Sequence, residues 1–315
     1  MKAEHLSPTR PRARNALSGD RLLCSRRTWG HWFLFAGLSF AWAAQLSAQD
    51  LQIRFFDVGQ GDAALITSPE GKNALIDAGP DPERVLGYLG ALNVDSLDLV
   101  VASHNHADHI RGLPGVLTSI ATRFYMDNGI PATTVIYRDV LTAVQGSGAQ
   151  YLEASARIIR LGSVSLRVLP KPPGVETQNN GSVGILLTYG SFKALLTGDA
   201  EVAERSYWLQ HDSIPTVSVL KVAHHGSWNG TDSAWVAATG PHIAIISVGA
   251  DNQYGHPSSG TVELLHAVGA EVYRTDQVGT IEVTVRPDGR MRINTTGSQT
   301  VTVPTGRVLT LPHPR

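Results

Sequence analysis

Cysteine is almost absent from this sequence of 315 residues, which contains only Cys24. One thiol cannot build an intrachain disulfide framework, and it cannot form a cysteine-based zinc site within one chain. A small fold that is held together by disulfides is therefore excluded. If the chain binds a metal, histidine and carboxylate side chains must supply the ligands.

An excess of positive charge is also lacking. The formal net charge is −1, and the first 48 residues hold seven of the 26 basic side chains but only two of the 27 acidic ones. The rest of the sequence has 19 basic and 25 acidic residues, a net charge of −6. A broad basic surface that grips nucleic acid is therefore not expected. The G-x-S-x-G motif is missing too, so a serine nucleophile is not indicated.

The N-terminal residues have the composition of a targeting segment. The seven basic side chains lie within 1–27, and the apolar stretch over 29–48 ends in small residues. This order predicts a signal peptide over 1–48, and its cleavage would remove Cys24.

An uncleaved membrane anchor is the alternative for this segment. The apolar stretch is short for a membrane span and contains His31, which favours cleavage. SRRTW at 25–29 also resembles a twin-arginine signal. We therefore expect an exported protein with one domain over 49–300 and a C-terminal tail over 301–315.

Short apolar strands alternate with helices from residue 51 onward. The pattern is weaker over 120–180, where it indicates one helix, one hairpin and a loop over 171–182. We find no internal repeat and no long linker, which predicts one α/β domain built from two similar halves. The predicted strands lie at 51–58, 63–67, 72–79, 97–103, 184–201 (a hairpin), 217–227, 242–249, 271–276 and 279–297 (a hairpin), with helices at 81–92 and 109–120.

The segment SHNHADHIRG (103–112) contains three histidines and an aspartate within six positions. In an H-x-H-x-D-H pattern, His104 and His106 can point to one side of the loop while Asp108 and His109 face the other. Two pairs of ligands around two neighbouring metals would result, and Zn²⁺ or Mn²⁺ suits such ligands. Four ionisable side chains directly after a buried strand are hard to explain as packing.

Further polar side chains follow other apolar strands. Asp77 ends ALIDAG, Asp199 ends ALLTGD, and His224 and His225 end VSVLKVAHHG. Packed strands bring such ends to one edge of a sheet, where ligand sites tend to form. We therefore expect these side chains to lie near the histidine loop.

The segments FDVGQGDA, LIDAG, SHNHADH, NNGS, LLTGDAE, KVAHHGS and YGHP occur in this order. Together they resemble the metallo-β-lactamase fold, and in particular the hydrolase domain at the end of ComEC-type competence proteins. The resemblance covers roughly residues 51–286. It implies an α/β fold of one domain, a four-layer αββα sandwich with the site at one edge.

The resemblance also implies roles for individual residues. His104 and His106 would bind one ion, Asp108, His109 and His225 the other, and Asp199 would bridge both, while His224 would face the substrate. Asp77 would hold the ligand loop by hydrogen bonds. His256, in YGHPSS before a predicted helix, could contact a phosphate, although a loop with a capping role is the alternative. The candidate catalytic residues are Asp108, His224 and His256.

Two features depart from the family pattern. No histidine lies between His109 and Asp199, where most of the superfamily supplies a third histidine to the first ion. QNNGS (178–182) stands there instead, so Asn179, Asn180, Ser182 or water could fill the position, which favours Mn²⁺ more than three histidines would. A plain Asn-Asn-Gly turn is the alternative. The resemblance does not extend to the membrane channel of the competence proteins, so we do not expect these residues to import DNA by themselves.

The predicted function is that of an exported hydrolase with two divalent metal ions, Zn²⁺ or Mn²⁺. Two ions about 3.5–4 Å apart would share a hydroxide and suit attack on phosphorus, so we expect a phosphodiesterase or nuclease with a phosphodiester substrate, possibly DNA. A local basic groove could involve Lys221, Arg111 or Arg274. The alternatives are a small phosphoester such as a phosphocholine-type ester, a carboxylic ester or lactam, or a metal-binding module without turnover. No membrane or protein partner is predicted.

Export can be tested directly on the expressed protein. Because a basic and then apolar N-terminus directs secretion, protein isolated from outside the cytoplasm should begin near Gln49. N-terminal sequencing measures this, and recovery of the full-length chain from the cytosol alone would contradict it.

Overall fold

The computed structural model describes residues 49–212 and 214–297. The predicted signal peptide over 1–48 and the predicted tail over 301–315 lie outside these residues. Within the described ranges, no helix is both long and apolar enough to cross a membrane.

The described residues form 15 strands and eight α-helices. The strands are β1 (Leu51–Phe55), β2 (Ala64–Thr67), β3 (Asn73–Ile76), β4 (Ser96–Val101), β5 (Ala121–Asp127), β6 (Gln150–Glu153), β7 (Arg157–Leu161), β8 (Val164–Val168), β9 (Ile185–Tyr189), β10 (Phe192–Leu196), β11 (Val219–Lys221), β12 (Ile243–Ile246), β13 (Glu271–Arg274), β14 (Ile281–Val285) and β15 (Met291–Thr295). The helices are α1 (Pro82–Ala91), α2 (Ala107–Ile110), α3 (Leu113–Ser119), α4 (Val135–Ser147), α5 (Val202–His211), α6 (Ser233–Thr239), α7 (Ser259–Ala267) and α8 (Thr275–Val278). Short 3-10 turns cover Asn179–Gly181 and Ala223–Gly226.

The strands form two mixed sheets. The first has the order β15-β14-β1-β2-β3-β4-β5-β6, and the second has the order β13-β12-β11-β10-β9-β8-β7. Strands β3 to β6 run parallel in the first sheet, and strands β10 to β13 run parallel in the second. The two predicted halves therefore each contain a parallel segment whose carboxyl ends can carry a site.

Three apolar layers hold the sheets and helices together. Between the sheets, Ile53 on β1 and Leu166 on β8 belong to one buried cluster. Helices α1, α3 and α4 cover the outer face of the first sheet, and α5, α6 and α7 cover the second through residues such as Trp208 and Trp235. Each large apolar side chain that is fully buried contributes roughly 1.5–3 kcal/mol. The arrangement is a four-layer αββα sandwich of one domain, which confirms the predicted fold class.

Three local features differ from the prediction. Strands β5 and β6 were not predicted, because exposed Arg123 interrupts the apolar pattern of β5 and because β6 has no buried residue. The single helix predicted over 109–120 is wrong, since it divides into α2 and α3. Gly112 lies between them, and a Cβ atom there would be 2.1 Å from the carbonyl oxygen of Ala78. Pro114 then lies in the first turn of α3.

Loops after four parallel strands meet at one edge of the sandwich. They follow β3, β4, β10 and β11, and they carry Asp77, the histidine loop, Asp199 and the His224–His225 pair. Asp77, His224 and His225 have φ values of 60°, 51° and 52°. This left-handed conformation costs a non-glycine residue on the order of 1–3 kcal/mol, so the surrounding structure must hold it in place. Such strain concentrates at functional sites.

Candidate metal centre

A single carboxylate oxygen lies at the centre of the candidate site. Oδ2 of Asp199 lies 3.3 Å from Nε2 of His109, 3.6 Å from that of His225, and 3.8 Å from those of His104 and His224. The Asp199 side chain is buried, and its other oxygen, Oδ1, has no hydrogen-bond partner. Two separate loops therefore bring four imidazole rings to one carboxylate on a third loop.

The opposite nitrogen of each ring, Nδ1, contacts an oxygen atom. The pairs are His109 with Asp77 Oδ2 (2.9 Å), His225 with the carbonyl oxygen of Ser247 (2.9 Å), His104 with Ser103 Oγ (3.1 Å) and His224 with Asn229 Oδ1 (3.1 Å). The Ser103 hydroxyl donates its hydrogen to Asp77 at 2.7 Å, so it accepts from His104. In all four pairs Nδ1 carries the hydrogen, and a neutral ring then has a free lone pair on Nε2.

This arrangement fits a bound cation. Four lone pairs that face one carboxylate oxygen repel it unless positive charge lies between them. Burial lowers the pKa of the His225 imidazole, but Asp199 and Asp62 outweigh burial and raise that pKa to about 10. Burial opposes protonation of His109 as well, yet Asp199 and Asp77 raise its pKa well above the ordinary value. His109 and His225 thus attract protons, whereas burial lowers the pKa of His104 and of His106. A divalent ion would supply the same positive charge and release the protons of the first two rings.

The ligand atoms of Asp108, His109, Asp199 and His225 all lie within 4.8 Å of one another, which is close enough to hold one ion. His109 Nε2, like Asp199 Oδ1, is buried without a hydrogen-bond partner. Nδ1 of His106 lies 2.9 Å from Nε2 of His104, which is itself 3.8 Å from Oδ2 of Asp199. The structure therefore brings the predicted ligands of both ions into one cluster.

Asp62 and Asp77 form a second close group with His109. Both carboxylates lie on the Nδ1 side of that ring, at 3.8 Å and 2.9 Å. Asp77 also accepts hydrogen bonds from the backbone N–H and the hydroxyl of Ser103, each at 2.7 Å. We interpret this group as the support that orients His109 rather than as a separate ion site.

Asp62 was missed in the sequence analysis, and the proposed role of Lys221 in a basic groove is wrong. Nζ of Lys221 forms a short ion pair with Asp62 beneath the site, and both residues are buried. Burial raises the pKa of the Asp62 carboxyl, but Lys221 and His225 lower it to about 2. Oδ1 of Asp62 lies 3.4 Å from Nδ1 of His225. Lys221 therefore neutralises a carboxylate inside the protein and cannot contact a substrate.

The other two residues of the proposed groove also differ from one another. Arg274 is paired with Asp276, two residues further along the chain, while Arg111 is exposed.

The sequence held a signal for the buried pair of Asp62 and Lys221, since Lys221 interrupts the apolar strand VSVLKVA. Gly61 precedes Asp62 with φ 148°, and a Cβ atom there would be 2.2 Å from the carbonyl oxygen of Asp108. Glycine thus lets the two loops touch.

The two adjacent histidines lie in a tight turn. The strand predicted over 217–227 is wrong at this end, because β11 stops at Lys221 and both histidines are left-handed within Ala223–Gly226. The rings still diverge, with centroids 6.3 Å apart and planes at 66°. His225 is buried, with Nε2 3.2 Å from Oδ2 of Asp108. The side chain of His224 is 21% exposed and borders the open pocket.

The QNNGS segment supports the centre from one side. Ser182 Oγ accepts a hydrogen bond from the backbone N–H of Asp199 at 3.2 Å. Both asparagine amides donate to Glu201, at 2.9 Å from Asn179 and 3.2 Å from Asn180. Asn180 Oδ1 also accepts from the backbone of α5, whereas Asn179 Oδ1 lacks a partner and its residue lines the pocket. Of the three oxygens considered, that of Asn179 is available to an ion.

A pocket of about 410 Å³ opens beside the cluster. Among the described residues that line it there is no lysine or arginine. His256 lies at its edge, with its ring 5.7 Å from that of His224 and stacked on exposed Tyr254 at 5.8 Å. The N-cap of α7 is Ser258 rather than His256. The His256 side chain therefore remains directed to the pocket region and does not cap the helix.

The chain is similar in sequence to a known protein family and to several individual proteins. The sequence pattern of the metallo-beta-lactamase superfamily matches residues 56–250. ComE operon protein 3 of Bacillus subtilis (strain 168) is 28% identical over 253 residues, which cover 73% of this chain and 32% of that protein. Ribonuclease Z of Clostridium kluyveri is 43% identical over 58 residues, or 18% of this chain and 19% of that protein. The chain thus spans about a third of its relative from Bacillus subtilis.

A solved structure shows the same fold. A mutant of CmlA beta-hydroxylase superposes with a TM-score of 0.51 at 14% identity, covering 75% of this chain and 54% of the other.

The buried ion pair predicts a clear effect on stability. Lys221→Met removes the cation and leaves the Asp62 carboxylate buried without its partner, which should lower the free energy of unfolding by about 3–5 kcal/mol. Urea unfolding of the metal-free protein at neutral pH measures the loss. The double variant Asp62→Asn/Lys221→Met should recover most of it, and a single variant as stable as the wild type would contradict this view of the pair.

Proposed function

The chain belongs to the metallo-beta-lactamase superfamily, and we propose that it is a phosphodiesterase that works with two divalent metal ions. The four histidine nitrogens around Asp199 Oδ2, next to an open pocket, are the observation that carries this proposal. A bridging carboxylate has little use in a protein that binds one ion. It favours a hydrolase over a metal-binding module without turnover.

The ligand assignment is the one that the family resemblance implies, and the clustering of Asp108, His109, Asp199 and His225 supports it. We assign His104 and His106 to one ion, Asp108, His109 and His225 to the other, and Asp199 to both. Zn²⁺ and Mn²⁺ both suit nitrogen and carboxylate ligands, and the oxygen of Asn179 in place of a third histidine favours Mn²⁺. When bound, the ions supply positive charge that activates water and stabilises charge on phosphate oxygens.

Two side chains of the pocket, His224 and His256, are not assigned to an ion and can act on the substrate. His224 has Nδ1 bonded to Asn229, so its free Nε2 can accept a proton and return it to a leaving oxygen. His256, beside it, can orient a phosphate oxygen. Asp108 is one-third exposed and contacts His225 Nε2 at 3.2 Å, so it joins the metal cluster to the pocket.

The lining of the pocket limits the substrate. Without lysine or arginine among its described lining residues, the pocket does not track a long phosphate backbone. This favours a small phosphodiester, or the end of a single strand, over duplex DNA. One relative is a ribonuclease by name, which supports a nucleic acid substrate. The same pocket lining also admits a small phosphoester of the phosphocholine type. A lactam is disfavoured, because the third histidine of the first site is missing.

We also propose that the protein acts outside the cytoplasm. The basic and then apolar composition of residues 1–48 supports this, and so does the absence of cysteine after position 48. The catalytic domain would then occupy 49–300, followed by a tail over 301–315.

A substrate panel tests the function. Purified protein with Mn²⁺ or Zn²⁺ should hydrolyse bis-p-nitrophenyl phosphate, and it should act on single-stranded ends faster than on duplex DNA or a β-lactam. Raising salt from about 50 to 200 mM should change KM for a phosphodiester less than about threefold, because each phosphate neutralised by a basic side chain would weaken binding by about that factor. Failure with every phosphodiester and both metals would overturn the function, and a tenfold rise in KM would overturn the small-substrate assignment.

The adjacent histidines should respond differently to substitution. His225→Ala should weaken metal binding by about 10-fold or more, since Nε2 of His225 lies within the ligand cluster. His224→Ala should retain the metal but lower turnover by roughly 10²–10⁴-fold, the range for a lost proton-transfer group. Metal content by elemental analysis and the rate of phosphodiester hydrolysis, measured side by side for both variants, test this assignment. Loss of metal in His224→Ala with retention in His225→Ala would reverse the assignment.

A further inference from the structure

The Glu201 carboxylate is not one of the assigned metal ligands, and it does not form a helix-capping hydrogen bond. It lies at the start of α5 with its side chain 26% exposed. Instead it accepts hydrogen bonds from three asparagine amides, those of Asn179 (2.9 Å), Asn229 (3.0 Å) and Asn180 (3.2 Å). Its Oε1 also lies 3.6 Å from Nδ1 of His224.

These contacts fix the orientation of the Asn229 side chain. A carboxylate accepts only, so the amide nitrogen of Asn229 must face Glu201, and its oxygen then faces Nδ1 of His224 at 3.1 Å. The backbone of Asn229 is anchored as well, because its carbonyl oxygen accepts from the buried guanidinium of Arg205 at 2.8 Å. The side-chain amide can therefore not turn over without breaking two hydrogen bonds.

The orientation of Asn229 decides which nitrogen of His224 carries the hydrogen. An amide oxygen can only accept, so Nδ1 must donate and Nε2 must keep its lone pair toward the pocket. A reversed amide would favour the other tautomer, and the nitrogen that faces the pocket would then be unable to take up a proton. A neighbouring oxygen of this kind sets the tautomer of catalytic histidines in general.

We propose that Glu201 and Asn229 are positioning residues that hold His224 with hydrogen on Nδ1 and a free Nε2 at the pocket. In this arrangement Asn179 and Asn180 hold Glu201 by hydrogen bonds. The QNNGS segment therefore both forms a turn and orients this carboxylate. The proposal rests on the proposed function only for what Nε2 acts upon. The tautomer itself is a property of the protein without metal or substrate.

The tautomer can be read by nuclear magnetic resonance on metal-free protein with ¹⁵N-labelled histidine, at about pH 8, where an ordinary histidine is neutral. Long-range proton–nitrogen spectra should show His224 with hydrogen on Nδ1, its signals being assigned by their loss in His224→Ala. Asn229→Leu removes the acceptor at similar volume and should give a mixture of tautomers, and Glu201→Gln should do the same. Asn229→Asp keeps an acceptor and should restore the wild-type form.

Two controls separate positioning from damage to the fold. Asn180→Ala removes the amide at Oε2 of Glu201 but leaves those of Asn179 and Asn229 at Oε1, so it should change the tautomer much less than Asn229→Leu does. With metal bound, Asn229→Leu should lower kcat by about 10–100-fold with little change in KM, and Asn229→Asp should recover most of the loss. Hydrogen on Nε2 in the wild type, no change in Asn229→Leu, or an equal change in Asn180→Ala would each overturn the proposal. None of the spectra depends on hydrolysis, so failure of the phosphodiesterase assay would be a separate result.

Discussion

The site depends on one electrostatic constraint, which is that four histidine nitrogens with free lone pairs meet a single oxygen of Asp199. Such an arrangement is unfavourable without positive charge at its centre. It persists because each ring is held from behind by an oxygen on a different part of the fold. Those oxygens come from loops after strands β3, β4, β11 and β12, so the sandwich itself sets the geometry of the cluster.

The stability of the domain must offset several unfavourable local features. Asp77, His224 and His225 occupy left-handed backbone conformations, and Asp62 is a buried carboxylate. Lys221 compensates Asp62 from inside the second sheet, where an apolar side chain would ordinarily lie. The three apolar layers supply the free energy that makes these features tolerable, since the two sheets and their covering helices bury most of their large apolar side chains. The site is therefore assembled by the fold before any ion arrives.

The sequence predicted the architecture, and it selected the side chains that the structure gathers around Asp199, because both leave local signals. Apolar alternation marks most strands, and the H-x-H-x-D-H spacing marks the loop after β4. The exposed strand β6 left no apolar signal and was missed. The turn that holds His224 and His225 was missed as well, because its left-handed conformation depends on contacts with other loops.

Residues that act through long-range contacts could not be predicted. Asp62 and Lys221 are 159 positions apart, and Asn229 is 28 positions from Glu201. Lys221 stands out as a charge within an apolar strand, but nothing in the local sequence names Asp62 as its partner or links Asn229 to Glu201. Their importance becomes visible only when the strand ends meet. Sequence patterns therefore identified the side chains that cluster around Asp199, and the structure identified those that hold them in place.

The histidines around Asp199 require positive charge between them and the carboxylate, and bound ions would supply it in place of protons. Calorimetric titration of Mn²⁺ into metal-free protein, in two buffers of different ionisation enthalpy, tests this most directly. We expect about two ions per chain with release of protons on binding, and one ion or none for Asp199→Ala. Binding without proton release, or an unchanged stoichiometry in Asp199→Ala, would contradict it.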